Sequence, residues 1–198
     1  MVQRARVLHQ HGFAILLFDL QAHGESSGGR ITFGRLEGLD AAAAVRFVRG
    51  RLPGERVGVI GVSLGGAAAV LGPESLRVDA LVLESVYPSI DAALANRLRA
   101  GLGSVAGPLL TPLLAPAFKL LLPPVLGVTP AELRPVDRIR EVRAPVLVAS
   151  GDADDRTTPG RCSSTRRSRS ASGRSREPGT STWSVSTLTH TGATSCRS

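Results

Sequence analysis

Gly61-Val62-Ser63-Leu64-Gly65 sets a serine between glycines, directly after the apolar stretch Val57-Gly-Val-Ile60 and before the small-residue run Gly66-Ala-Ala-Ala69. A serine hydroxyl attacks a carbonyl when it is held exposed and a neighbouring base can take its proton. A tight strand-to-helix turn meets the first requirement. It lifts the hydroxyl to the end of a sheet and aims the first helical amides at a developing oxyanion. Ser63 is then the nucleophile, and the Leu64 N–H is one oxyanion donor. The flanking glycines would let the chain turn and the helix pack close. Gly58, Gly61 and Gly65 do not space as a dinucleotide-binding G-x-G-x-x-G, and no Gly-Lys-Ser/Thr follows to form a phosphate-binding loop.

Such a turn needs a sheet, and the chain repeats the unit that builds one. Phe13-Ala-Ile-Leu-Leu-Phe18 is a continuous apolar run suited to a strand buried on both faces, and 57–60, 80–83 and 145–149 read as further strands. Residues 4–10 read as the end of a helix. Residues 33–49 follow a helical period with Leu36, Leu39, Ala43 and Phe47 on one side, ended by Pro53-Gly54. Strands alternating with helices imply parallel crossovers, so the expected class is α/β: a mostly parallel sheet with helices on both faces. Residues 91–143 break this rhythm. From Leu102 to Val128 the only charge is Lys119, and Pro108, Pro112, Pro116, Pro123 and Pro124 recur every few residues. The prolines argue against a membrane span and predict several short helices. These would be an apolar lid over the sheet's C-terminal edge or ordinary packing helices.

The stretches Phe18-Asp-Leu-Gln-Ala-His-Gly-Glu-Ser26, Ile31-Thr-Phe-Gly34 with Glu37 and Asp40, the Ser63 pentapeptide, Leu83-Glu-Ser-Val-Tyr-Pro88 and Gly151-Asp-Ala-Asp154 together resemble the α/β-hydrolase-fold serine hydrolases, in their esterase-like and serine aminopeptidase-like branch. The resemblance covers 1–159. It implies a triad in the order serine, acid, histidine. It places the acid at Asp154, which would orient and stabilise a charged histidine. Asp152 and Asp155 are alternatives, and Glu84 is a fallback. Only His190 follows Asp154, so His190 is the candidate base by chain order, against an incidental histidine in a polar segment. His9 and His11 read as packing or surface residues, and the resemblance gives His23 a structural role at the edge of the site. It also implies early strands and a second oxyanion amide ahead of the helix that opens this chain. The chain therefore reads as N-terminally truncated and impaired, since losing one oxyanion donor costs ~10²–10³ in rate.

Composition narrows the alternatives. Of 198 residues, 42% are hydrophobic, enough for one core, and the 22 Gly and 13 Pro follow no repeat period. Only 4% are aromatic, which argues against a stacking surface for single-stranded nucleic acid. The net charge of +8 is concentrated in 160–198, where seven arginines meet one acid, Glu177, whereas 1–159 holds 17 basic and 15 acidic residues. Both cysteines, Cys162 and Cys196, lie in the tail, so 1–159 has no thiol nucleophile, disulfide or cysteine zinc site. Ser, Thr and Arg fill 25 of the 39 tail positions, with no strand or helix period. The tail reads as disordered or as a reading-frame artefact. A two-letter shift in a G/C-rich gene would put a histidine, then Gly or Arg, across the codons of His190 and Thr191.

The expected organisation is a partial domain over 1–159, with 91–143 as its lid or insert, and a low-complexity tail over 160–198. The expected function is hydrolysis of a small ester or amide, possibly with an apolar acyl group, through an acyl-enzyme. No metal or organic cofactor and no specific nucleic acid are implied. Arg4 and Arg6 precede no signal-peptide pattern, so a cytoplasmic location is expected. The competing reading is a non-catalytic remnant whose basic tail binds phosphates at most nonspecifically.

Overall fold

The computed structural model describes residues 1–151 and 183–188. In chain order it holds α1 Val2–Gln10, α2 Glu37–Arg51, β1 Gly58–Val62, α3 Leu64–Leu71, β2 Ala80–Glu84, α4 Ile90–Leu126, α5 Pro135–Arg138, β3 Val146–Gly151 and β4 Trp183–Leu188, with 3-10 turns at Pro130–Glu132 and Ile139–Glu141. Among the described residues one sheet forms, ordered β1-β2-β3-β4. The first three strands are parallel, with Gly58 opposite Ala80 and Leu81 opposite Val146. β4 runs antiparallel to β3, with Val146 opposite Leu188. The α/β expectation therefore holds.

Alternation within β2 builds the core. Leu81 and Leu83 are buried, while Val82 and Glu84 are half-buried. Ala67, Ala69, Val70 and Leu71 of α3, Ala41 and Val45 of α2, and Leu133, Val142 and Val146 complete the cluster. Each fully buried leucine, such as Leu71, Leu81 or Leu133, contributes roughly 1.5–3 kcal/mol of burial.

Four sequence expectations are corrected. Phe13-Ala-Ile-Leu-Leu-Phe18 is not a buried strand: it joins no sheet and is exposed throughout, with Phe13 at 58% and Phe18 at 48%. A two-face-buried strand requires a hydrogen-bonded neighbour, and none of the described residues pairs with this run. On α2, Leu39, Ala43 and Phe47 are exposed, and the buried face is Glu37, Gly38, Ala41 and Val45. The reason is close approach, because a side chain at Gly38 would collide with the backbone of Gly72 just beyond α3.

The tail, expected to lack a strand, supplies β4. Trp183, Val185 and Thr187 alternate with serines there, a short period-two pattern hidden by the Arg/Ser/Thr composition. Finally, the prolines do not divide residues 90–126 into short helices. α4 departs from helical geometry only at Gly103 (φ 80°, ψ 179°), which folds it into two arms, 90–102 and 104–126. Lys119 Nζ lies 2.8 Å from Asp91 Oδ1, and a Cβ at Gly107 would stand 2.8 Å from Arg99 Cα, so the arms run antiparallel. Ser89 Oγ caps the first arm by accepting from the Ala92 N–H, and left-handed Gly127 (φ 70°) ends the second. Each proline removes one backbone donor. All five prolines are themselves exposed. Ala106–Leu126 is consequently one helix long and apolar enough to cross a membrane, with mean hydropathy 1.7 and only 6% of that window buried.

Candidate functional site

Ser63 closes the turn between β1 and α3. Its backbone takes φ 49° and ψ −113°, and its side chain makes no capping bond to α3. A non-glycine residue held there stores about 1–3 kcal/mol of strain, which the surrounding bonds must maintain. The Ser63 N–H donates to the Glu84 carbonyl at 2.8 Å, and the Ser63 carbonyl accepts from the Ala67 N–H at 3.0 Å. These anchor the turn to β2 on one side and open α3 on the other. The serine is exposed. The Leu64 N–H heads α3, a helix start whose first amides have no intrahelical acceptor.

The two motif glycines play unequal parts. A Cβ at Gly61 would lie 2.5 Å from Gly66 Cα and 2.6 Å from its nitrogen, so strand and helix touch there backbone to backbone. A Cβ at Gly65 meets nothing within 4 Å among the described residues. The sequence reading assigned close packing to both. Gly61→Ala is therefore expected to lose about 3 kcal/mol of stability, whereas Gly65→Ala stays within about 0.5 kcal/mol of the parent. Urea denaturation of the two variants measures the difference, and equal midpoints would refute this account of the turn.

A loop brought in by α2 braces the helix behind Ser63. Glu37 is completely buried and accepts three hydrogen bonds, from the Thr32 N–H (2.7 Å), Thr32 Oγ1 (2.7 Å) and the Gly34 N–H (2.8 Å). Gly34, at φ 102°, lies so close to Ala67 that a Cβ would stand 2.8 Å from it. The Tyr87 hydroxyl donates to the Phe33 carbonyl. Burial, reinforced by the Glu37 charge, pushes the Tyr87 phenol well above its ordinary range and keeps it a donor. Asp40 Oδ2 accepts from the Gln21 N–H at 2.8 Å and ties in the preceding loop. A cavity of about 700 Å³ opens between that loop, at Gly24, Arg30 and Phe33, and the end of α4, at Val125 and Leu126. Ser63 is not part of its lining.

The other candidates separate. Asp154, Asp152, Asp155 and His190 lie outside the described residues. Glu84, the fallback acid, is held by Arg4 of α1 in a 2.7 Å ion pair. His9 Nδ1 lies 3.3 Å from the Phe13 carbonyl, His11 Nδ1 2.8 Å from that of Val7 and His23 Nδ1 2.8 Å from that of Gln21. Each is thus engaged locally. Sequence reasoning missed Ser85, which follows β2 as Ser63 follows β1 and shares its φ of 49°. Only a backbone angle could have revealed it. No helix begins at Ser85, so it lacks the fan of free amides that Ser63 has. Among the described residues no group of three or more His, Cys, Asp or Glu side chains is placed to hold a metal.

A parallel sheet whose first strand turns sharply through a strained, exposed serine into a helix is the architecture of the α/β hydrolases. A sequence profile of the alpha/beta hydrolase family matches residues 3–184, and the chain belongs to that family. It is 33% identical over 153 residues to an uncharacterized protein of Mycobacterium tuberculosis strain H37Rv and, to the same extent, to one of strain CDC 1551. Each match covers 76% of this chain and 46% of the relative, so the chain spans about half the length of the curated relatives it matches. Among solved structures it resembles the Pyrococcus furiosus esterase Pf2001, with TM-score 0.52 and 26% identity over 75% of this chain and 53% of the esterase.

Proposed function

We propose that this chain carries the nucleophile of a serine hydrolase that cleaves small esters through an acyl-enzyme. The observation behind this reading is the Ser63 backbone: strain at φ 49° is retained at an exposed, uncapped serine that heads a helix. In this reading Ser63 Oγ attacks the carbonyl carbon and the carbonyl oxygen becomes an oxyanion facing the Leu64 N–H. His190 takes the serine proton and returns it to the leaving alcohol, while Asp154 orients that histidine. Water then attacks the acyl-enzyme and restores Ser63. Family membership supports hydrolysis, and the esterase neighbour supports ester over amide substrates. The Leu/Ala/Pro-rich composition of 91–143 is what supports an apolar acyl group and a lid role for that segment.

The remnant reading has its own support: the 13–18 run is unpaired, and no histidine among the described residues is hydrogen-bonded to Ser63. Incubation of the full chain with a fluorophosphonate, followed by peptide mass mapping, separates the two. A phosphonyl adduct on the Ser63 peptide is expected. Absence of that adduct while an authentic esterase labels in parallel would establish the remnant.

A further inference from the structure

We propose that the outward face of α2 docks on an anionic phospholipid surface, with Leu39 and Phe47 entering the interface and the arginines on either side meeting the headgroups. At 100° per residue, Arg46, Leu39, Gly50, Ala43, Phe47 and Arg51 follow one another within an arc of about 140°. All six are exposed, Leu39 at 48% and Phe47 at 55%. The buried residues Glu37, Gly38, Ala41 and Val45 fill the opposite side. Asp40 falls inside the outward arc, but in the first turn, where it is half-buried and bonded to the Gln21 N–H. The outward face toward the C-terminal end is therefore hydrocarbon and guanidinium alone.

Charge selects the occupant. Arg49, on the flank of α2, reaches Asp79 Oδ2 at 2.7 Å and the carbonyls of Arg77 and Glu55 at 3.2 and 3.0 Å. It thereby fixes the two loops that carry Arg56 and Arg77 beside the last turns of the helix. Arg46, Arg51, Arg56 and Arg77 are exposed, and none has a carboxylate within ion-pair distance among the described residues. Against these four stand Glu55, on the same loop as Arg56, and Asp79, already matched by Arg49. The C-terminal end of α2 accounts for cations at 49 and 51. It does not account for Arg56 and Arg77, which lie outside the helix. The Arg51 guanidinium stands over the Phe47 ring, 5.7 Å from its centroid, so cation and aromatic edge are presented together. A nucleic acid would engage the arginines and leave Leu39, Ala43 and Phe47 in water. A protein partner would need a concave, acid-rimmed groove to follow a convex helix. A lipid surface takes both parts, headgroups for the guanidiniums and the acyl boundary for the apolar side chains. Leu39 and Phe47 are about 12 Å apart along the axis, so α2 lies in the plane of the interface.

The test is co-sedimentation of the full chain with vesicles of phosphatidylcholine containing phosphatidylserine, together with amide hydrogen exchange. Leu39→Gln/Phe47→Gln should weaken partitioning by roughly tenfold. Arg46→Gln and Arg51→Gln should each weaken it by roughly fivefold, and only on anionic vesicles. Arg97→Gln/Arg99→Gln removes two positive charges from α4 and should stay within roughly twofold of the parent, since screening confines the attraction to charges near the surface. In the unaltered chain, residues 37–51 should gain exchange protection when vesicles are added. Circular dichroism checks that the variants fold, as expected for exposed side chains. Equal binding by the parent and every α2 variant would assign adsorption to the arginine-rich tail and overturn the proposal. Loss confined to the arginine variants would overturn it too, by showing that nothing apolar enters the interface. So would absence of binding, or an equal loss in the α4 variant. Protection of 37–51 that rises with protein concentration without lipid would assign the face to a second copy of the chain, and the same protection with polyglutamate to an acidic protein; either overturns the proposal. None of these outcomes depends on whether Ser63 reacts.

Discussion

Ser63→Ala should reduce phosphonate labelling and ester hydrolysis to background, a fall of ~10³-fold or more, because in the proposed reaction Ser63 Oγ is the atom that forms the covalent bond. The substitution keeps the fold: the Ser63 side chain makes no bond that caps α3, and alanine meets the same backbone constraint. Ser63→Gly sharpens the prediction. Glycine reaches φ 49° and ψ −113° without a Cβ penalty, so this variant should lose the reaction and gain about 1 kcal/mol in stability. A residue serving only the fold would not show that opposition. Ser85→Ala is the matched control, with the same positive φ at the end of the neighbouring strand but no helix to follow. It should label as the parent does. Labelling that persists in Ser63→Ala and vanishes in Ser85→Ala would transfer the nucleophile to the adjacent strand. Denaturation and labelling rates on the same preparations separate the two effects.

Glu37→Ala is expected to destabilise the chain by about 3–5 kcal/mol, the largest single loss on the α2 side. It strands three buried donors at once, the Thr32 and Gly34 amides and the Thr32 hydroxyl. Thr32 is itself completely buried, so water cannot replace the lost acceptor without opening the loop. The loop also carries Phe33, bonded to Tyr87, and Gly34, pressed against Ala67 of α3. Release of the loop should therefore loosen the helix that sets Ser63, and reactivity should fall with stability. Glu37→Gln retains an acceptor oxygen but turns an amide donor toward N–H groups, and should cost about 2 kcal/mol. Urea midpoints report all three proteins. A Glu37→Ala midpoint within error of the parent would show that the carboxylate is dispensable to the loop.

Several features were legible from residue order alone. Short apolar runs at 57–60, 80–83 and 145–149 became β1, β2 and β3, because strands joined by crossovers into a parallel sheet are apolar along their length, even though only alternate residues of β2 are fully buried. The serine was legible too, since a strand, a glycine-flanked turn and an Ala-rich helix are all local in the chain. What failed depended on partners distant in sequence. The 13–18 run has the composition of a buried strand, but strand formation needs a neighbour, and no sequence window reports one. On α2 the apolar stripe suggested one face and the structure buried another. Gly38 against Gly72, and the donors around Glu37, outweighed the transfer energy of Leu39 and Phe47.

The prolines of α4 argued for breaks that did not occur, because an exposed carbonyl that loses its N–H partner can turn to water, and only the fold decides which carbonyls are exposed. The tail strand escaped notice because five alternating residues, 183–187, are diluted by the Arg/Ser/Thr-rich sequence around them. The amino-acid sequence by itself determined the α/β class, three strands and the strand-to-helix turn that carries Ser63, all set by local pattern. The tertiary structure decided the strain at Ser63 and its echo at Ser85, the unequal work of Gly61 and Gly65, the burial of Glu37 and the exposure of the α4 leucines. Each of these depends on which atoms meet across distances that residue order does not encode.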